Sequence, residues 1–233
     1  MEYIIIICTC VITLIILKFT WNIKIKDIKK LKELGYDENL NKITNKLPEN
    51  KEICKSILKM LNNESVKIEE NEGNQASLYM VLSNSIVIAN IKNTFTRVQT
   101  VAHECLHSIQ NRRTLLFNFI FTNIYIIYFV TICILTIFKL NSYAMLNLFI
   151  LLIMSFIHYA IRSYLEMDAM TKAKPLAKDY IEREEKLSKD EENTILENYD
   201  TINNIGIKLT NYMLIFKCLI KAIIYMLICV ISI

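Results

Sequence analysis

Glycine and proline are nearly missing from this chain, at 3 and 2 of 233 residues. A β-rich fold needs both at its tight turns, so their scarcity argues against an all-β architecture. Histidine is equally rare, at 3. The seven cysteines are odd in number and include no C-x-x-C pair, so they suggest neither a disulfide framework nor a cysteine-based zinc site. Cys8, Cys10, Cys133, Cys218 and Cys229 lie in apolar runs, where cysteine behaves as a small hydrophobe; Cys54 and Cys105 lie outside them. There is no glycine-rich phosphate loop and no internal repeat. A formal net charge of +4 is too small to argue for nucleic acid as a partner.

What is abundant is apolar surface. Hydrophobic residues make up 53% of the chain and the mean hydropathy is +0.32, values that point to a membrane protein. Four apolar segments stand out: residues 3–17, 115–138, 143–161 and 212–233, the last broken only by Lys217 and Lys221. A helix needs about 20 residues to cross the hydrocarbon core. The second and third segments qualify clearly, and residues 18–21 can extend the first. That first segment reads as an uncleaved anchor rather than a signal peptide, because it carries no Lys or Arg ahead of it and no small-x-small cleavage site behind it.

Charge placement gives an orientation. Residues 18–113 hold 16 Lys and Arg and residues 162–211 hold 8, or 24 of the 27. The positive-inside rule then places both polar regions in the cytoplasm. The expected fold is a mainly α integral membrane protein of the cell membrane, multi-pass, with about four transmembrane helices and a small α+β cytoplasmic zincin-like region. Five segments follow: an anchor over 1–21, an α+β region over 36–113, a transmembrane hairpin over 114–161, a charged cytoplasmic helix over 162–211 and a last span over 212–233. Within the α+β region, Pro48 opens a helical stretch carrying Ile53, Ile57, Leu58 and Leu61. Strand-like pieces follow at 65–69, 77–82 and 85–89. The tail EREEKLSKDEEN reads as a solvated face or a turn.

The chemistry concentrates in Thr96–Gln110, TRVQTVAHECLHSIQ. Thr96 and Gln99 form a candidate capping box that would start a helix. On that helix His103 and His107 are four residues apart, so both imidazoles share one face and can take two corners of a tetrahedral zinc site. Glu104 sits beside that face, placed to act as general base on a zinc-bound water in the H-E-x-x-H pattern. The hairpin formed by the second and third apolar segments returns the chain to the same side, and Glu166 follows it by a few residues. Counted at about 1.5 Å per helical residue, Glu166 and His107 come out about 5 Å apart in height, which makes Glu166 the expected third ligand. Asp168, on another face of that helix, suits a role orienting a histidine through its second ring nitrogen. His158, inside a span, reads as a polar group hydrogen-bonded between helices. The strand-like pieces before the motif helix can pair an extended substrate or serve as ordinary core.

Ala102–Gln110 (AHECLHSIQ) and Glu166–Ala169 (EMDA), in this order between apolar segments, resemble the membrane-bound neutral zinc metallopeptidases of the YugP type, and more remotely the HtpX-like membrane proteases. The resemblance implies Zn2+ held by His103, His107 and Glu166, with Glu104 catalytic. It also implies hydrolysis of a peptide or membrane-protein substrate at the bilayer. The chain departs from the family pattern at Leu106, where a glycine is usual, at Cys105, and at Leu78-Tyr79-Met80 upstream. Two other classes remain open: an inactive zinc-binding membrane adaptor, and a non-enzymatic membrane scaffold or transporter.

Overall fold

The computed structural model describes residues 2–71, 73, 76–91 and 94–232; Met1 and Ile233, the outer bounds of the expected first and last segments, lie outside these. The described chain is mostly helical. Its helices are α1 (Glu2–Thr20), α2 (Ile25–Gly35), α3 (Glu38–Thr44), α4 (Asn50–Met60), α5 (Arg97–Ile109), α6 (Arg112–Ile137), α7 (Ala144–Glu184) and α8 (Lys189–Ser232), with three strands, β1 (Lys67–Asn71), β2 (Leu78–Met80) and β3 (Ser85–Ala89), between α4 and α5. Two compact units divide it. One comprises residues 1–23, 116–164 and 208–233; the other comprises 24–115 and 165–207.

The first unit gathers the apolar segments. Four helices, α1, α6, α7 and α8, are long and apolar enough to cross a membrane. This points to a membrane protein. Tyr125, Leu148, Leu151, Tyr225 and Met226 form the middle of its buried cluster. Several polar side chains inside it are paired across the fold: the Tyr128 hydroxyl donates to Asn147 Oδ1 (2.9 Å), and Asn141 Nδ2, from the turn after α6, donates to the Tyr225 hydroxyl (2.7 Å). Such pairing is required where water is absent.

The second unit has its own core. Asp37 caps α3 by accepting from the Asn39 and Leu40 amides at 2.9 and 3.0 Å. In α4, Ile53, Cys54, Ile57 and Leu58 recur at helical spacing and are all buried. The sheet runs β1-β3-β2, with β1 parallel and β2 antiparallel to β3. The five residues of the central strand β3 are buried, and four of them, Ile86–Ala89, are apolar. Asn84, at φ 49°, takes the left-handed turn that brings β3 back beside β2; asparagine tolerates that region better than most residues.

Several long-range contacts seat α5. Arg97, 2% exposed, donates from Nη1 to the Pro48 carbonyl (2.7 Å) and Asn50 Oδ1 (3.0 Å), and from Nη2 to the Thr44 and Leu47 carbonyls (2.6 and 2.9 Å). These acceptors close the end of α3 and the start of α4, so one guanidinium ties three helices together. Burial lowers its pKa from the usual arginine value. The buried Tyr199 of α8 donates to the Phe95 carbonyl (2.9 Å), and Asn63 Nδ2 holds Ser108 at the other end of α5 (2.9 Å).

Two sequence expectations change. The capping box at Thr96 and Gln99 does not form: Thr96 has φ −76° and ψ −1° with no side-chain cap, and Gln99 Nε2 donates instead to Asn203 Oδ1 (3.2 Å). A tertiary partner has outcompeted the local one. A reciprocal capping box does occur at Ser188 and Glu191, where the Glu191 amide donates to Ser188 Oγ (3.3 Å) and the Ser188 amide to Glu191 Oε2 (3.0 Å). It starts α8 within EREEKLSKDEEN. The stretch 162–211 is therefore two helices with a turn between them, and the second continues without a break into the last apolar segment.

Candidate metal centre

His103 and His107 lie one turn apart on α5, with ring centroids 4.6 Å apart and planes nearly perpendicular. Their Nε2 atoms approach to 3.1 Å. Glu166, on α7, brings its carboxylate to the same point: Oε2 is 3.4 Å from His103 Nε2 and Oε1 is 3.9 Å from His107 Nε2. One donor atom from each residue can be chosen with all three within 4.8 Å. Donors about 2.0–2.1 Å from a tetrahedral zinc lie about 3.3–3.4 Å from one another. The three separations bracket that value, so this group can hold a metal ion with little movement.

The tautomer of a neutral His107 follows from its neighbours. Gln110 Nε2 faces the Leu165 carbonyl (2.8 Å) and Asp168 Oδ2 (3.0 Å), both acceptors. The amide nitrogen must therefore point there, and Gln110 Oε1 faces His107 Nδ1 at 2.8 Å. An oxygen at that distance accepts, so Nδ1 carries the proton. In the neutral ring Nε2, which lies 3.1 Å from His103 Nε2 and 3.9 Å from Glu166 Oε1, then keeps its lone pair, as a metal ligand requires.

The expected role of Asp168 is thereby corrected in detail. It reaches His107 Nδ1 through Gln110. Lys172 pairs with Asp168 from one turn along α7, and this contact, followed by the Gln110 hydrogen bond, holds the Asp168 carboxyl below its ordinary pKa. The chain Lys172–Asp168–Gln110–His107 thus runs from a surface cation to a ring of the candidate metal group. Gln110 is also the residue where α5 ends, with φ −66° and ψ 161°. The height estimate from the sequence assumed a continuous helix through this point. Glu166 reaches His107 although the helix breaks there.

Glu104 is buried at 8% exposure, and its Oε2 accepts from the Tyr79 amide at 2.7 Å. Tyr79 is the middle residue of β2, the edge strand, in register with Ile86 of β3. Its N–H goes to Glu104 and not into the sheet. A backbone donor thus fixes the carboxylate of the residue that follows His103, and the outer edge of β2 faces α5. Sequence reasoning had no signal for this contact. It did have one for Gln110, which lies three residues from His107 on the same face.

The departures at positions 105 and 106 turn away from the metal group. Cys105 is fully buried, its Sγ 3.6 Å from that of Cys54, and the thiol hydrogen bond, with burial, pushes its pKa well up. Leu106 is buried in the same core cluster as Ala169 and Ala173 of α7. The third histidine, His158, belongs to the other unit, where its Nδ1 lies 3.2 Å from Thr122 Oγ1, an interhelical hydrogen bond of the kind anticipated.

No protein-family model, curated protein or solved structure matches this chain.

Proposed function

We propose that this chain is a membrane-anchored zinc-dependent endopeptidase, of the YugP type that its motifs resemble, working at the cytoplasmic face of the cell membrane. The observation that carries the reading is the placement of His107 Nε2 beside His103 Nε2 and Glu166. Two histidines of an H-E-x-x-H helix and a carboxylate from a distant helix converge on one point, with a second carboxylate, that of Glu104, held by the Tyr79 amide. Two imidazoles and one carboxylate, with a fourth position left for substrate or water, is a donor set that suits catalytic zinc.

Bound there, zinc supplies Lewis acidity towards a carbonyl oxygen. The chain's own residues do the rest. Glu104, with Oε2 held by the Tyr79 amide, takes a proton from the attacking water and passes it to the departing amine. Gln110 keeps the His107 ring in its ligating tautomer. The positive-inside distribution of Lys and Arg supports the cytoplasmic orientation.

The test uses the full chain purified in detergent without chelators. Bound metal is measured by mass spectrometry, and cleavage of casein or of a membrane-protein substrate is compared with Glu104→Gln. Near-stoichiometric zinc with cleavage lost only in the variant is expected. Zinc without cleavage in either form would mean a metal-binding adaptor; wild-type protein free of zinc would reject the reading altogether. Glu166→Ala should lower zinc occupancy sharply, and unchanged occupancy would remove Glu166 from the ligand set.

A further inference from the structure

The unit formed by residues 1–23, 116–164 and 208–233 is one-sided in charge. It contains Lys18, Lys139, Arg162, Lys208, Lys217 and Lys221, and its acidic residues reduce to Glu2. Glu2 is remote from the last two lysines along the fold. Its neighbour Tyr3 meets Cys229, eight residues beyond Lys221, or about 12 Å along α8.

The surroundings of Lys221 supply polarity but no negative charge. Its Nζ lies 5.0 Å from the centre of the Tyr125 ring and donates to the Lys217 carbonyl at 3.3 Å. The Tyr125 ring also stacks on His158 at 5.3 Å, whose Nδ1 lies 3.2 Å from Thr122 Oγ1. The Tyr125 hydroxyl is itself engaged by Ser155 at 2.8 Å. Lys217, one turn earlier on α8, is exposed. Two like charges at i and i+4 repel, and charges on a membrane-spanning helix are costly unless they are paired or reach polar surroundings. The π face of Tyr125 offsets part of this for Lys221 only. The compensating charge has to come from outside these helices.

The shape of the face indicates its source. Met213, Lys217, Lys221 and Ile224 fall within one narrow arc of α8, and Met213 and Ile224 are 39% and 42% exposed. A cationic pair flanked on the same strip by exposed apolar side chains matches a headgroup joined to an acyl chain. We propose that Lys217 and Lys221, backed by Tyr125 and His158, bind the phosphate of an anionic phospholipid. This rests on the chain residing in a bilayer, and is independent of metal binding and hydrolysis.

The full-length protein in neutral detergent is titrated with dioleoylphosphatidylglycerol, with dioleoylphosphatidylcholine and with inorganic phosphate, and followed by native mass spectrometry and thermal unfolding. Phosphatidylglycerol should bind at least tenfold more tightly than phosphatidylcholine and raise the unfolding temperature, while inorganic phosphate does neither. Lys217→Met/Lys221→Met should abolish the preference with zinc content unchanged, and Lys217→Arg/Lys221→Arg should keep it. Equal binding of the two lipids by wild type, undiminished preference in the Met double variant, or loss of preference in the Arg double variant overturns the proposal. An equal response to free phosphate would make this an adventitious anion site and reject a lipid. Recovery of the wild-type chain from cells without membranes would instead reject the membrane reading beneath it.

Discussion

Gln110 touches no metal, yet its replacement should weaken metal binding measurably. Its Oε1 accepts from His107 Nδ1 (2.8 Å), while its Nε2 is anchored to Leu165 and Asp168 (2.8 and 3.0 Å). In Gln110→Ala the three contacts vanish together. His107 can then rotate and can place its proton on Nε2, the nitrogen that must ligate. Partners of this kind are typically worth 10–100-fold in metal affinity, or about 1.4–2.7 kcal/mol. Competition of the detergent-purified protein against a zinc chelator of known affinity measures the effect directly. Asp168→Asn supplies the graded control, since it retains an oxygen for Gln110 and should cost less than Gln110→Ala. If Gln110→Ala binds zinc within twofold of wild type while its helix content is unchanged, the tautomer argument is wrong.

Other outcomes follow from neighbouring contacts. Arg97→Met leaves three carbonyls and Asn50 Oδ1 without their donor, and should destabilise the protein by about 3–5 kcal/mol in a denaturant titration. Because the folded-state pKa of Asp168 is depressed, its contribution to stability is present at neutral pH. That contribution is lost as pH falls from about 4 through the folded value; Asp168→Asn should flatten this acid limb in unfolding measured against pH, and an unchanged limb would rule the contribution out. Tyr79→Pro deletes the one N–H that β2 gives to Glu104, and edge strands tolerate proline. Hydrolysis should fall at least tenfold with zinc retained, whereas Tyr79→Phe, which loses only the hydroxyl bond to Asn84, should stay near wild type. Equal losses in the two variants would show that the amide is not the relevant group.

Most of the helical architecture was legible because it depends on local pattern. Long apolar runs, the i, i+4 spacing of His103 and His107 and the buried face of α4 are properties of contiguous residues, and a helix turns them into surfaces by fixed geometry. The strands were placed to within a few residues for the same reason. Where a local signal met a tertiary competitor, the sequence misled. Thr96 and Gln99 have the composition of a capping box, but Gln99 is drawn to Asn203, over a hundred positions away. The working box at Ser188 and Glu191 lay inside a run of charges that masked it.

The metal group divides in the same way. The sequence alone determined that two imidazoles share one face with a carboxylate beside them. Only the tertiary structure decided that Glu166, 59 positions after His107, meets those rings, that Gln110 stands between Asp168 and His107, and that Glu104 is held by an edge-strand amide. The contacts of Glu166 with the rings, of Asp168 with Gln110 and of Tyr79 with Glu104 each join residues at least 25 positions apart. Such contacts depend on how buried faces pack, a sum over many side chains that no single spacing encodes.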